Sequence, residues 1–219
     1  MEPIPNEPIP DTNRYLTYEQ MHLINSFRFF MLDMAIYSRF ISSCVILYKD
    51  CFDPVFARLL QVPYDSYQQM VTYLGREKAA GYYNLVNQHI IIMVELLQAL
   101  QAGNQQEADT LVAKWYRNAE EIASYLASVN PYWSKEEWRS LIYKYIQLLL
   151  NQILSTQTNN FQQSVMIFDE LRYHAVLMGD TLATGMMQLL HIHPPEAVQP
   201  GGTTPEVVPP GMVPPETAR

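Results

Sequence analysis

The stretch Glu107–Trp138, EADTLVAKWYRNAEEIASYLASVNPYWSKEEW, decides the fold class, because it holds one helix, a stop and the start of the next. Ala108, Leu111, Trp115, Asn118, Ile122, Tyr125 and Val129 recur at steps of three and four, which places them on one stripe of a helix. Thr110, Lys114, Arg117, Glu121, Ser124 and Ser128 fall on the opposite, solvated face. Asn130-Pro131 then ends the helix, since proline disfavours the α conformation in the residue before it. Ser134 and Glu137 have the spacing of a capping box for the next helix, with Trp133 and Trp138 at the two staple positions. Two antiparallel helices joined by an aromatic corner are expected here.

Working toward the N-terminus, Gly103 has the place of a C-cap glycine and Asn104, three residues before Glu107, that of an N-cap. The preceding helix is expected from about Arg76 to Ala102, with Tyr82, Leu85, His89, Ile92, Leu96 and Ala99 inward. Gly75 and Gly81 loosen its start. Asp53-Pro54 reads as an N-cap with proline at the first helical position. A short helix to about Gln61 should follow, broken at Pro63 and resumed from Tyr64 to Leu74. Thr17 and Gln20 form another capping box, with Leu16 and Met21 as a hydrophobic staple, so the first helix starts at Tyr18. Its inward seam reads Ile24, Phe27, Met31, Met34, Ser38, Ile41, Val45 and Tyr48. Asp33 flanks that seam and should meet Tyr37 or a basic residue of another helix, since buried charges are usually paired.

Beyond Trp138 the helix should run from Lys135 to about Thr156, burying Trp138, Ile142, Tyr145, Leu149 and Ile153. The last helix, about Phe161 to Leu190, carries Ala175, Gly179 and Ala183 at steps of four. Small residues on one stripe let another helix approach closely, so the tightest crossing is expected there. Glu-Pro-Ile-Pro occurs twice in residues 1–16, and eight prolines fall among the 26 residues from Pro194 onward, where PEVVP and PGMVP form a tandem repeat. Both ends are expected to be disordered tails around a 17–193 domain. The whole is read as all-α, an antiparallel up-and-down bundle of about five long helices with a short helical connection.

Composition excludes several classes. Across 219 residues there are 14 basic and 22 acidic side chains, a net charge of -8, and the basic ones are spread along the chain. A nucleic-acid or anionic-membrane surface needs them clustered. Cys44 and Cys51 would lie roughly 10 Å apart on one helix, too far for a disulfide, which suits a reducing, cytoplasmic setting. The acidic, proline-rich start lacks the basic and apolar segments of a signal peptide. The most apolar stretch, Phe27–Tyr48, carries Arg28, Asp33 and Arg39, so no membrane span is expected.

Chemistry-bearing motifs are sparse. A di-iron carboxylate bundle uses Glu-x-x-His on two helices, and the chain does not supply the pair. Glu170 and His174, four apart, have ordinary ion-pair spacing. His191 and His193 border the proline-rich exit. No glycine pattern cradles phosphates, only five lysines occur, and there is no Gly-x-Ser-x-Gly. No cofactor is expected on these grounds, with a metal ion as the open alternative.

At Trp115-Tyr116-Arg117-Asn118-Ala119-Glu120-Glu121-Ile122-Ala123 and Asn130-Pro131-Tyr132-Trp133-Ser134 the chain resembles a family of small all-helical bacterial proteins, mostly from spore-forming lineages. Its members are often labelled "acetylglutamate kinase" although they resemble no amino-acid kinase in fold. The similarity extends over about residues 20–190, through Tyr37-Ser38-Arg39, His89, Glu95, Phe168-Asp169 and Gly179-Asp180. It implies polar residues aimed at the bundle interior, among them histidines at the positions of Met34 and Tyr145. A threonine and a glutamate would stand at Leu149 and at Asn151 or Gln152. What the family pattern leaves here is His89, Glu95, Asn118, Glu121, Asp169 and Asp180, a set that would hold a metal or a small polar ligand.

With its best nitrogen ligands replaced, the chain is expected to be a non-catalytic interaction or structural protein, spore-associated, with a protein partner or a second copy of itself. A small-ligand or metal-binding bundle is the alternative, and a true acetylglutamate kinase the third reading. The long amphipathic segments should bury their stripes against each other without an organised polar chamber.

Overall fold

The computed structural model describes residues 16–191, and within them the chain forms six α-helices and no strand. α1 spans Tyr18–Ile46 and a 3-10 turn, Lys49–Cys51, follows it. Then come α2 (Phe52–Leu74), α3 (Arg76–Gln101), α4 (Gln105–Val129), α5 (Lys135–Gln157) and α6 (Phe161–Leu189). The all-α expectation holds, with six long helices where about five were expected. The expected tails, apart from Leu16, their repeats and His193 lie outside the described residues.

Capping chemistry sets the helix starts. Thr17 Oγ1 accepts from the Gln20 amide at 3.2 Å, and Gln20 Oε1 accepts from the Thr17 amide at 2.9 Å. Both halves of that box therefore form, although Leu16 and Met21 stay exposed and make no buried staple. Asn104, Ser134 and Asn160 each accept from the amide three residues on. At the aromatic corner Trp133 and Trp138 are both 2% exposed and meet edge to face at 6.5 Å. Buried Asn130 fastens that corner: its Nδ2 donates to the Gly185 carbonyl at 2.9 Å and its Oδ1 accepts from the Tyr132 amide at 3.0 Å.

α2 departs most from expectation. Cys51, not Asp53, is its N-cap, and one 23-residue helix passes straight through Pro63. Pro54 falls in the first turn, where amides have no helical acceptor and a missing N–H is harmless. Pro63 does forfeit one backbone bond, but it is buried with Leu59, Val62, Ser66 and Met70 on the face that α2 packs against its neighbours. Burial of that stripe overrides the local break. Gly81 likewise lies inside α3, where its missing side chain leaves room for the Tyr125 ring.

Cys44 and Cys51 form a disulfide, with Cα atoms 5.4 Å apart. The expectation of separated thiols assumed that both lie on one helix. Instead α1 stops at Ile46 and the 3-10 turn brings Cys51 back beside its last turns.

Cross-helix pairs fix the directions. Lys114 meets Glu95, Asn118 meets His89, and Tyr125 reaches the Lys78 carbonyl, so α3 and α4 run in opposite senses. Arg28 with Asp180 and Arg39 over Phe168 show the same for α1 and α6. Lys144 with Glu170 and Gln152 with Ser164 show it for α5 and α6. Consecutive helices pack on each other, and α1 touches α2, α3, α5 and α6. α1 is long and apolar enough to cross a membrane, and half of its most apolar window is buried inside the fold. The charged residues of its apolar stretch are engaged: Arg28 forks onto Asp180, Asp33 meets Arg58 at 3.2 Å, and the Arg39 guanidinium lies 4.3 Å over the Phe168 ring.

The small-residue stripe of α6 does face α1. A Cβ at Gly179 would stand 2.7 Å from Arg28 Cα and 2.8 Å from the Phe27 carbonyl oxygen, contacts with backbone that cannot swing away. Gly179→Ala is therefore expected to lower stability by about 1–3 kcal/mol, measured by urea unfolding. An unchanged midpoint would mean that the two helices are farther apart.

Candidate functional site

His89 on α3 and Asn118 on α4 are the two candidate residues that meet in the interior. Each sits on the inward stripe of its helix, so antiparallel packing of α3 on α4 brings them together. His89 Nδ1 lies 2.7 Å from Asn118 Oδ1, and Asn118 Nδ2 donates to the Leu85 carbonyl at 3.2 Å. That second bond turns the amide oxygen toward the ring, so His89 carries its proton on Nδ1 and donates. The imidazole lies 5.2 Å from the Trp115 ring and is 6% exposed. Burial lowers its pKa to about 4, against a small opposing effect of Asn118. The ring is thus neutral at pH 7.

Beside it lies a chamber of about 40 Å³ where α1, α3, α4, α5 and α6 come together. Met31, Met34, Val86, Ile142 and Met178 give it mostly apolar walls, and Tyr82, His89 and Tyr145 also line it. Burial pushes the Tyr145 hydroxyl up to about 12 and that of Tyr82 further still, so both stay protonated. The expectation was of no organised polar chamber, and this small space is walled mostly by apolar side chains. No acidic residue lines it. Met34 and Tyr145, where the family resemblance would place histidines, flank this same space with His89.

The four acidic candidates lie elsewhere, on the surface. Glu95 pairs with Lys114 at 3.2 Å, and both side chains are nearly half exposed. Asp180 receives the Arg28 fork, with Nη2 to Oδ2 at 3.0 Å. Asp169 meets Arg172, three residues on in α6, at 3.4 Å. Glu121 stands exposed on the outer face of α4. Of the positions matched to the threonine and glutamate, Leu149 is core, Asn151 is exposed, and Gln152 bonds Thr156 and Ser164 at 3.0 and 3.1 Å.

Other titratable groups are locally engaged too. His174 Nε2 donates to the Leu141 carbonyl at 2.7 Å, and burial holds its pKa below the ordinary value. One Glu-x-x-His, Glu19 to His22, sits exposed in the first turn of α1. Among the described residues no group of three or more His, Cys, Asp or Glu is placed to hold a metal ion.

Sequence reasoning read Tyr82 and Tyr145 as core only. Their signal was available: a tyrosine on an inward stripe must place its hydroxyl somewhere, and Tyr82 shares the inward stripe of α3 with His89. Glu120 was also passed over as a site residue. It accepts from the Tyr143 hydroxyl at 2.7 Å and lies 3.9 Å from Arg139 in an open groove between α4 and α5.

Comparison with models of protein families, with curated proteins and with solved structures found no match.

The buried histidine gives stability a pH dependence. Its folded pKa of about 4 lies below the ordinary 6.5, so the unfolded chain takes up this proton first as pH falls. Stability present above pH 6.5 is lost progressively down to about pH 4, by at most roughly 3 kcal/mol. His89→Gln should remove that part of the slope when urea midpoints are compared at pH 7 and pH 4.5. Identical slopes in the two proteins would place His89 in solvent.

Proposed function

We infer that this chain is a non-catalytic helical-bundle protein with an interaction or structural role, its six helices in an antiparallel up-and-down arrangement. One observation carries the reading. Of six candidate site residues, only His89 and Asn118 meet, and they satisfy each other, while the acids lie apart at the surface. General acid–base or metal chemistry needs such groups converging on one reacting atom. Exposed Phe29, Phe40, Tyr173 and Leu177 on the adjoining helices α1 and α6 are the surface to which a partner protein or a second copy would bind.

In this reading α1 is the core helix of a soluble fold and not a span. What supports it is the burial of half its apolar window and the engagement of Arg28, Asp33 and Arg39 by neighbouring helices. The scattered basic residues favour no nucleic-acid partner. A cytoplasmic, spore-associated setting rests on the family resemblance. The Cys44–Cys51 bond weighs against a reducing compartment, since such a bond persists where thiols oxidise.

A small-ligand or metal-binding bundle is the second reading, favoured by the chamber at which Met34, His89 and Tyr145 converge. Elemental analysis of the full chain, purified without a histidine tag, separates the two. No stoichiometric metal is expected. Metal at one equivalent, lost in His89→Ala, would overturn the non-catalytic reading. The acetylglutamate kinase label predicts ADP release from ATP and acetylglutamate, and none is expected.

A further inference from the structure

α1 is apolar on two opposite sides, and the fold buries one of them. Away from its buried seam, Asn25, Phe29, Leu32, Ile36, Phe40 and Ser43 recur at steps of three and four, and none of the six is buried. Phe29 and Phe40 are 66% and 50% exposed, and only half of the most apolar window of α1 lies inside the fold. A helix that is hydrophobic all round is one that is buried all round.

The order of residues along this outward stripe identifies what covers it. From either end it runs polar, aromatic, aliphatic: Asn25, Phe29, Leu32 from one side and Ser43, Phe40, Ile36 from the other. Turned end for end on a second α1, the stripe sets Phe29 opposite Phe40, Leu32 opposite Ile36 and Asn25 opposite Ser43. A two-fold interface requires this self-complementarity, because the same patch serves both copies.

Size and charge agree with such a contact. From Asn25 to Ser43 the stripe is about 27 Å long. With α2 and α6 packed beside α1 at axis separations of about 8–10 Å, the face is roughly 22 Å wide. Two such faces together bury about 1,200 Å², the lower edge of the range for stable interfaces. The bordering charges Arg28, Asp33 and Arg39 are engaged within their own copy by Asp180, Arg58 and Phe168, so no unpaired charge is trapped. The same charges disfavour hydrocarbon as the cover.

We propose that the outward stripe of α1 is a self-association face, on which a second copy of this chain packs antiparallel about a two-fold axis. The inference rests on the interaction reading above and narrows it to one partner.

Sedimentation equilibrium of the full chain in lipid-free buffer tests it. A dimer is expected, and Phe29→Glu or Ile36→Glu should weaken it by about tenfold or more without changing helical content. Direction is read from a spin label on Asn25→Cys, since the native cysteines are already bonded to each other. Antiparallel helices place the two labels roughly 30 Å apart, parallel ones about 10 Å. A monomer at every concentration, a dimer indifferent to both substitutions, or the short label distance would overturn the proposal. So would a monomer that floats with neutral phosphatidylcholine vesicles, since lipid would then be the cover. Each of these results leaves the non-catalytic reading standing, because that reading fails on stoichiometric metal lost in His89→Ala.

Discussion

Burial of α1 is the constraint on which the rest of the fold depends. Phe27, Met31, Met34, Ile41 and Val45 form its buried seam, and α2, α3, α5 and α6 cover that inward arc. Apolar area removed from water is the dominant favourable term in folding. Each neighbour is shaped by that demand. α6 presents Ala175, Gly179 and Ala183, which bring its backbone within contact of Phe27 and Arg28. α2 keeps its helix through Pro63 because the stripe around that residue faces inward. The aromatic corner at Trp133 and Asn130 then locks onto Gly185 at the far end of α6.

Burial on this scale leaves polar groups in the interior, and the chain handles them in pairs. His89 finds Asn118, Gln152 finds Thr156 and Ser164, and Asn130 finds two backbone partners. Charges are kept near the rim, where Arg28, Asp33 and Arg39 engage partners on neighbouring helices while retaining part of their hydration. Exposed pairs of this kind contribute little, of the order of 1 kcal/mol or less each. Their role here is to make the edges of an apolar helix compatible with water. A site of convergent acids would ask the same interior to carry unpaired charge, at far greater cost.

Much of this was legible in the residues. Period 3.6 placed Trp115, Asn118 and Ile122 on one face, and cap chemistry at Thr17, Asn104 and Ser134 located helix starts, since these signals are local. Where expectation failed, a longer-range effect decided. The break at Pro63 was overridden by burial, and Asp53 lost its capping role because the chain turned at the 3-10 segment. The Cys44–Cys51 contact depended on that same turn. The candidate site was less legible, because spacing along a helix shows which face a side chain takes but not which neighbour meets it. Thus His89 and Asn118 come together across two helices, while Glu95 and Asp180, named by the same resemblance, point to surface cations.

α1 as a helix buried in the core of the bundle is the claim from which the pairing of its charges and the close approach of α6 follow. Native-state hydrogen exchange in lipid-free buffer tests it most directly. Amides of Phe27–Val45 should be among the slowest in the protein, opening only with global unfolding. Rapid exchange along α1, becoming slow only when detergent or lipid is added, would contradict it.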